Sequence, residues 1–192
     1  MADREMEITA LLKEWAGGRR ESREDLIETV YEELRRISQR LLARERANHT
    51  LQPTEVVSEA YLRLTELQRV SWEGRRQFFG FAAKLMRDVL VEHARSKGAL
   101  KRGGDRLVIP LEILDEVPAE PDADRFFSVL DIDNALERLS EIDTRLVQLV
   151  ELRFFGGLTE EEAAQVLGVS RATVQRDWAF AKRWLSRELE GS

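Results

Sequence analysis

The chain has 192 residues, enough for one ordinary domain or two small ones, and is 43% hydrophobic and 34% charged, as expected of a globular protein. It has no cysteine, which excludes disulfides, a thiol nucleophile and cysteine-ligated metal sites. Its two histidines, His49 and His93, form no local metal-ligand pair. The first residues lack the apolar core of a signal peptide, and no apolar run reaches the roughly 18 residues of a membrane span. We therefore expect a cytoplasmic protein with no metal, no cofactor and no membrane partner.

The net charge of −6, from 30 basic and 36 acidic residues, is unevenly distributed. Residues 107–133 hold eight acidic residues and one basic residue, a net charge of −7. Residues 84–106 hold seven basic and three acidic residues, a net charge of +4. Because only the local surface matters for contact with phosphate groups, the acidic average does not exclude a nucleic-acid partner.

Most of the chain is predicted to be helical, because apolar residues recur at steps of three and four. In the first half we predict helices over residues 8–15, 24–46, 53–67 and 78–96. In the second half we predict helices over residues 129–139, 143–154, 159–167 and 170–189. The apolar run Leu107–Leu111 is too brief to support a sheet, and no longer strand pattern is found.

The acidic segment that follows Gly103-Gly104 contains Pro110, Pro118 and Pro121 and lacks periodicity, which favours a linker with little structure of its own. The predicted fold class is therefore all-α, with two small helical domains joined by an acidic linker. The predicted boundaries are residues 1–103 for the first domain, 104–125 for the linker and 126–192 for the second domain.

The most specific local pattern is a helix-turn-helix over residues 158–176. Thr159 and Glu162 have the spacing of a capping box, in which each side chain accepts from the backbone of the other residue. Gly168 suits the left-handed conformation of the turn, and Ser170 suits the N-cap of the next helix. In DNA-binding proteins the second helix of this motif enters the major groove by its N-terminal residues.

Val174 is predicted to face the core, and Trp178, Phe180 and Trp184 are expected to pack there rather than stack on bases. The candidates for base edges and flanking phosphates are Arg171, Thr173, Gln175 and Arg176. Lys182 and Arg183 suit contacts to the DNA backbone. The alternative is an ordinary helical hairpin with a solvated basic face.

Three segments together resemble an extracytoplasmic-function (ECF) type sigma factor of bacterial RNA polymerase. They are residues 50–64 (TLQPTEVVSEAYLRL), residues 78–95 (FFGFAAKLMRDVLVEHAR) and the helix-turn-helix. The first two resemble sigma domain two, and the third resembles sigma domain four. The segment LQPT…EAYLRL is similar to one ECF subgroup, found in bacteria rich in Ser/Thr kinases.

The resemblance implies core RNA polymerase and promoter DNA as partners. Glu55 and Glu59 would dock on the beta-prime clamp helices, and domain four would contact the beta flap and read the minus-thirty-five element. Ser71 and Trp72 would hold a flipped base of the minus-ten element. The residues implied at phosphates of the downstream DNA are Arg87, Arg95, Lys97, Lys101 and Arg102. The acidic linker would thread the RNA path of the polymerase.

Thr54 stands where the family commonly has a carboxylate, in the first turn of the helix that begins near Pro53. A phosphate there would restore about two negative charges and is favoured by the helix dipole. One hypothesis is that a Ser/Thr kinase activates the factor at Thr54, in place of release from an anti-sigma factor. In the alternative, Thr54 is a capping or spacer residue, and Glu55 and Glu59 suffice for docking.

Two other interpretations compete with an initiation factor. A stand-alone helix-turn-helix regulator would explain the second half and leave residues 52–106 without a role. An enzyme is disfavoured, because no Gly-rich phosphate loop, nucleophile–base set or metal-ligand spacing accompanies the many carboxylates.

Overall fold

A computed structural model describes residues 31–32, 34–36, 38–39, 42, 53–66, 75–100, 107–110 and 126–191. The helices are α1 (Pro53–Glu66), α2 (Arg75–Leu100), α3 (Val129–Ile142), α4 (Thr144–Val150), α5 (Glu160–Leu167) and α6 (Arg171–Glu190). A π-helix over Glu151–Phe155 continues α4. Two short strands, β1 (Val108–Pro110) and β2 (Phe126–Ser128), precede α3. The all-α fold class is confirmed.

Helices α1 and α2 of the first half pack through the apolar stripes that the sequence predicts. On α2 the predicted face of Phe78, Ala82, Leu85 and Val89 is buried, and the helix extends beyond the predicted bounds at both ends. On α1 the buried residues are Val56, Val57 and Ala60. Within the predicted helix 24–46, residues 31, 32, 34–36, 38 and 39 are helical, whereas the predicted helix 8–15 lies outside the described residues.

The second half follows its predicted helices closely because each helix begins at a side-chain cap. The Ser128 hydroxyl accepts from the N–H of Leu130, and the Asp143 carboxylate accepts from the N–H of Arg145. Each such cap satisfies a backbone donor that has no partner within the helix. The caps therefore fix where α3 and α4 begin.

The expectation that Leu107–Leu111 cannot support a sheet is wrong. Val108 pairs with Ser128 and Pro110 with Phe126 in an antiparallel ladder, and the N–H of Val129 donates to the carbonyl of Leu107 at 2.9 Å. Leu107 and Ile109 are buried, so the apolar run contributes to the core. Residues 107–110 are thus ordered, which also corrects the expected lack of structure for that part of the linker, while residues 111–125 lie outside the described residues.

The two halves pack against each other and share one hydrophobic core. Helix α2 of the first half contacts α3, the π-helix and α5 of the second half. The halves approach closely at Gly156, directly after the π-helix. A Cβ at this position would lie 3.0 Å from the Cβ of Ala83 and 2.5 Å from the carbonyl oxygen of Leu152. A glycine is therefore required where α2 crosses the end of the π-helix.

Within the described ranges, no helix is both long enough and apolar enough to cross a membrane. The same ranges contain no cluster of three or more histidine or acidic side chains arranged to hold a metal ion.

Candidate nucleic-acid interface

The helix-turn-helix has the local geometry that the sequence predicts. The N–H of Thr159 donates to Glu162 Oε2 at 2.7 Å, and the N–H of Glu162 donates to Thr159 Oγ1 at 3.3 Å, which completes the capping box. Gly168 adopts φ +69°, a left-handed conformation that glycine takes without steric cost. The Ser170 hydroxyl accepts from the N–H of Thr173 at 3.1 Å and caps α6. These three predictions are confirmed.

The inner face of α6 packs on α3, α4 and α5. Val174 is fully buried, as predicted, and Trp178 and Ala181 are buried beside it. Trp184 is half-buried against the core, whereas Phe180 is exposed, so the packing prediction is confirmed for the two tryptophans and wrong for Phe180. This packing fixes which face of α6 points outward.

The outer face of α6 presents the predicted base-reading side chains at its N-terminal end. The Arg171 and Arg176 side chains are 58% and 74% exposed, and Gln175 is exposed between them. Thr173 is half-buried, and its hydroxyl lies 2.9 Å from the hydroxyl of Ser170, the N-cap of the helix. Two turns further along, Lys182 is half-buried and Arg183 is exposed.

A carboxylate from α5 holds two of these side chains. Glu160 Oε2 accepts from Gln175 Nε2 at 2.8 Å and from Arg171 Nε at 3.1 Å. Its other oxygen, Oε1, lies 3.6 Å from Arg153 Nη1 on the π-helix. The Arg153 guanidinium in turn lies over the Trp178 ring, 4.5 Å from the ring centroid. A continuous set of contacts therefore runs from the buried Trp178 to the exposed start of α6.

The surroundings of Glu160 keep it ionised. Partial burial alone would raise the pKa of Glu160, but the hydrogen bonds from Gln175 and Arg171 and the charge of Arg153 outweigh it and hold the pKa below its ordinary value. At neutral pH this carboxylate is thus an acceptor only.

A family model described as "ECF sigma factor" matches residues 5–191. The chain belongs to the ECF sigma factor family. The resemblance stated from the sequence is thereby confirmed at the level of the family, while the subgroup stays a prediction. A search of the curated proteins finds no match. ECF sigma factors are transcription initiation factors that bind core RNA polymerase and promoter DNA, and the match spans both halves, so it does not favour a stand-alone regulator.

In this ECF sigma factor, Arg87 of α2 does not lie on an open surface. Its side chain is 12% exposed and donates to Asp133 Oδ1 on α3 at 2.8 Å and to Glu151 Oε1 on the π-helix at 2.7 Å. Burial alone would lower the pKa of Arg87, but the hydrogen bonds to Glu151 and Asp133 outweigh it and raise the pKa above its ordinary value. We call these three side chains, which join the two halves, the Arg87 cluster.

The structure describes only some of the other residues of the first half that are predicted to contact phosphates. Arg95 is exposed and reaches the edge of the Arg87 cluster, 3.0 Å from Asp133 Oδ2. Lys97 lies in α2. Ser71, Trp72, Lys101 and Arg102 lie outside the described residues.

The predicted docking and phosphorylation residues lie at the start of α1. Thr54 and Glu55 are exposed in its first turn. Glu59 is half-buried and accepts from Arg63 at 2.6 Å, and Arg63 also pairs with Glu92 of α2. Part of the Glu59 charge is therefore compensated within the chain.

Sequence reasoning missed the acidic partners of these basic residues. Asp133 enters the sequence analysis only through the net charge of residues 107–133, and neither Glu151 nor Glu160 is singled out by any motif. The available signal for Asp133 and Glu151 is their position among buried apolar residues of predicted helices, where an unpaired carboxylate is costly.

Proposed function

We propose that the chain docks on core RNA polymerase through the start of α1 and reads the minus-thirty-five promoter element through α6. The observation that carries the proposal is the family match over residues 5–191, which includes both the helix-turn-helix and the segments that resemble sigma domain two. Support for the role of α6 comes from the exposure of Arg171, Gln175 and Arg176. The protein performs no covalent chemistry, and it acts in the cytoplasm, where polymerase and chromosome are found.

The first half has the minus-ten role in this proposal. Ser71 and Trp72 hold the flipped base, and Arg87, Arg95, Lys97, Lys101 and Arg102 neutralise phosphates of the adjoining DNA. Residues 111–125 of the acidic linker follow the RNA path of the polymerase, and α6 and its neighbours dock on the beta flap.

Promoter binding requires the two halves to separate. Elements at minus ten and minus thirty-five are about 25 base pairs apart, or about 85 Å of B-form duplex at about 3.4 Å a base pair. The direct hydrogen bonds of the Arg87 cluster, at 2.7 and 2.8 Å, hold α2 against α3 and the π-helix. The described conformation is therefore a closed form of the free protein, and polymerase binding opens it and releases Arg87 for DNA.

Run-off transcription with bacterial core polymerase and genomic DNA fragments tests this function. We expect transcripts from defined start sites only when both the chain and the polymerase are present. Tight, specific duplex binding by the chain alone, without such transcripts, would instead identify a stand-alone regulator and overturn the proposal.

The finer hypothesis on regulation concerns Thr54. Its side chain is exposed in the first turn of α1, next to Glu55, where a phosphate is favoured by the helix dipole and adds acceptors for a basic partner surface. A Ser/Thr kinase activates docking at this position, in place of release from an anti-sigma factor.

Polymerase pull-down with Thr54→Ala and Thr54→Glu, with and without kinase, tests the switch. Ser58 provides a matched control, because it is exposed on the same helix one turn further along. We expect Thr54→Glu, but not Ser58→Glu, to bind without kinase, and Thr54→Ala to stay weak with it. Equal binding by all variants eliminates the switch and leaves Glu55 and Glu59 as sufficient.

A further inference from the structure

We propose that Glu160 is a positioning residue for promoter recognition, which orients the Gln175 amide and thereby sets the base that Gln175 reads. The inference deepens the proposed function and rests on it. It concerns a residue on α5, outside the recognition helix itself, whose carboxylate lies within hydrogen-bonding distance of two candidate base-reading side chains.

The chemistry of the two groups fixes which end of the amide faces Glu160. A carboxylate only accepts hydrogen bonds, so the Gln175 amide nitrogen must face it, as the 2.8 Å contact from Nε2 to Oε2 shows. The amide oxygen then lies on the opposite branch of the planar group and is presented as an acceptor. In the major groove an acceptor suits the exocyclic amino group of adenine or cytosine.

Glu160 can impose this orientation because its own carboxylate is fixed by contacts on the side facing the core. Its side chain is 13% exposed, and its two oxygens have different partners: Oε1 faces Arg153, and Oε2 receives Gln175 and Arg171. Arg153 is held over the ring of Trp178, whose side chain is in the core. A rotation of the Glu160 carboxylate would break contacts on both sides, so the buried core determines how the exposed amide is oriented.

The neighbouring Glu161 provides the matched control. It is one residue along in the same first turn of α5, carries the same charge, and pairs with Arg171. Among the described contacts, however, the hydrogen bond of the Gln175 side chain goes to Glu160. Replacing either acid by glutamine removes one negative charge near the helix N-terminus. Only the replacement of Glu160 loosens the orientation of Gln175, because a neutral amide at position 160 can present either its oxygen or its NH2 group to the Gln175 side chain.

The test measures transcription by the holoenzyme, core polymerase with the full chain, on a library of one promoter substituted at each position of the minus-thirty-five element. Gln175→Ala first identifies the base pair at which Gln175 discriminates, as the position where the wild-type preference is lost. We then expect Glu160→Gln to reduce the preference at that same base pair by about five-fold, since a well-formed side-chain contact to a base is a major source of discrimination. Glu161→Gln is expected to keep the wild-type preference there.

Two further variants separate orientation from charge and from folding. Glu160→Asp keeps the charge but shortens the side chain, so it should lose preference at the same position. The double variant Glu160→Gln/Gln175→Ala should show no further loss at that position beyond Gln175→Ala alone, because both changes remove one interaction. A merely structural role for Glu160 would instead lower transcription from every promoter variant by the same factor, together with the melting temperature, and would overturn the inference.

The wild-type result distinguishes failure of the proposed function from failure of the positioning role of Glu160. If wild type directs no promoter-specific transcription, both the proposed function and this inference fail. If wild type discriminates and Glu160→Gln keeps its profile, the function stands and the positioning role of Glu160 is overturned.

Discussion

The two helices on which DNA-contacting arginines are predicted, α2 and α6, differ in how deeply those arginines are enclosed within the chain. On α6, Arg171 and Arg176 are more than half exposed. On α2, Arg87 is 12% exposed and lies between carboxylates of the other half, whereas Arg95 is exposed. The arginines of α6 thus stay largely exposed although they pair with acids of the same half, whereas Arg87 is enclosed by acids of the other half. The comparison indicates that the outer face of α6 is accessible in the described conformation, whereas the Arg87 side chain is not.

The π-helix contributes to both regions. Glu151, at its start, belongs to the Arg87 cluster, and Arg153, two residues later, supports Glu160 beneath the recognition helix. Phe154 and Phe155, which follow Arg153, are buried and fix the segment in the shared core. A change in how α2 packs on this segment would therefore reach the candidate base-reading side chains of α6.

The largest expected effect comes from breaking the Arg87 cluster. Arg87→Ala leaves Asp133 and Glu151 buried without the guanidinium between them, so we expect the free energy of unfolding to fall by about 3 kcal/mol. Arg138→Ala is the control, because Arg138 is half exposed and pairs with Glu188 on the surface, where a pair contributes less than about 1 kcal/mol. Urea denaturation of both variants measures the difference, and equal effects would mean that the cluster does not stabilise the closed form.

A second way to break the packing is steric. Gly156→Ala places a Cβ against the Leu152 carbonyl and Ala83, and overpacking of this kind costs about 1–3 kcal/mol. Gly80→Ala, on α2, meets no atom within 4 Å and should stabilise the helix by up to about 1 kcal/mol. The two Gly→Ala changes are therefore expected to shift the melting temperature in opposite directions. A shift in the same direction would contradict the close approach at Gly156.

The smallest expected effect on stability comes from the exposed surface of α6, and it sharpens the comparison. Arg176→Ala should change the free energy of unfolding by less than about 0.5 kcal/mol, yet lower promoter-specific transcription by about ten-fold if one bond to a base is lost. Arg187→Ala, an exposed arginine in the last turn of the same helix, should change neither quantity. Equal transcription by the two variants would remove Arg176 from the interface.

The helix-turn-helix could be predicted in detail because its signals are local. Thr159, Glu162, Gly168 and Ser170 each act on backbone groups within a few residues, so their spacing alone specifies the caps and the turn. The buried face of α2 could be predicted equally well, because the helical spacing of its apolar residues is visible without knowledge of the partner helix. These residues are Phe78, Ala82, Leu85 and Val89.

The closed arrangement could not be predicted, because its contacts join distant parts of the chain. Arg87 and Glu151 are 64 residues apart, and nothing in the sequence near either residue indicates the other. The short ladder between β1 and β2 was missed for a related reason: three residues are too few for a periodic pattern, and the strand depends on pairing across residues 111–125. Composition showed where the charges lie, and only tertiary packing shows which of them meet.

The most direct test of the account is the distance between the two halves with and without polymerase. The chain has no cysteine, so Ser96→Cys on α2 and Ser140→Cys on α3, both at exposed positions, allow a single pair of spin or fluorescent labels. We predict a short distance in the free protein and an increase of tens of ångströms, toward about 85 Å, when core polymerase and promoter DNA are bound. A distance that stays short in a complex active in transcription would contradict the opening of the Arg87 cluster.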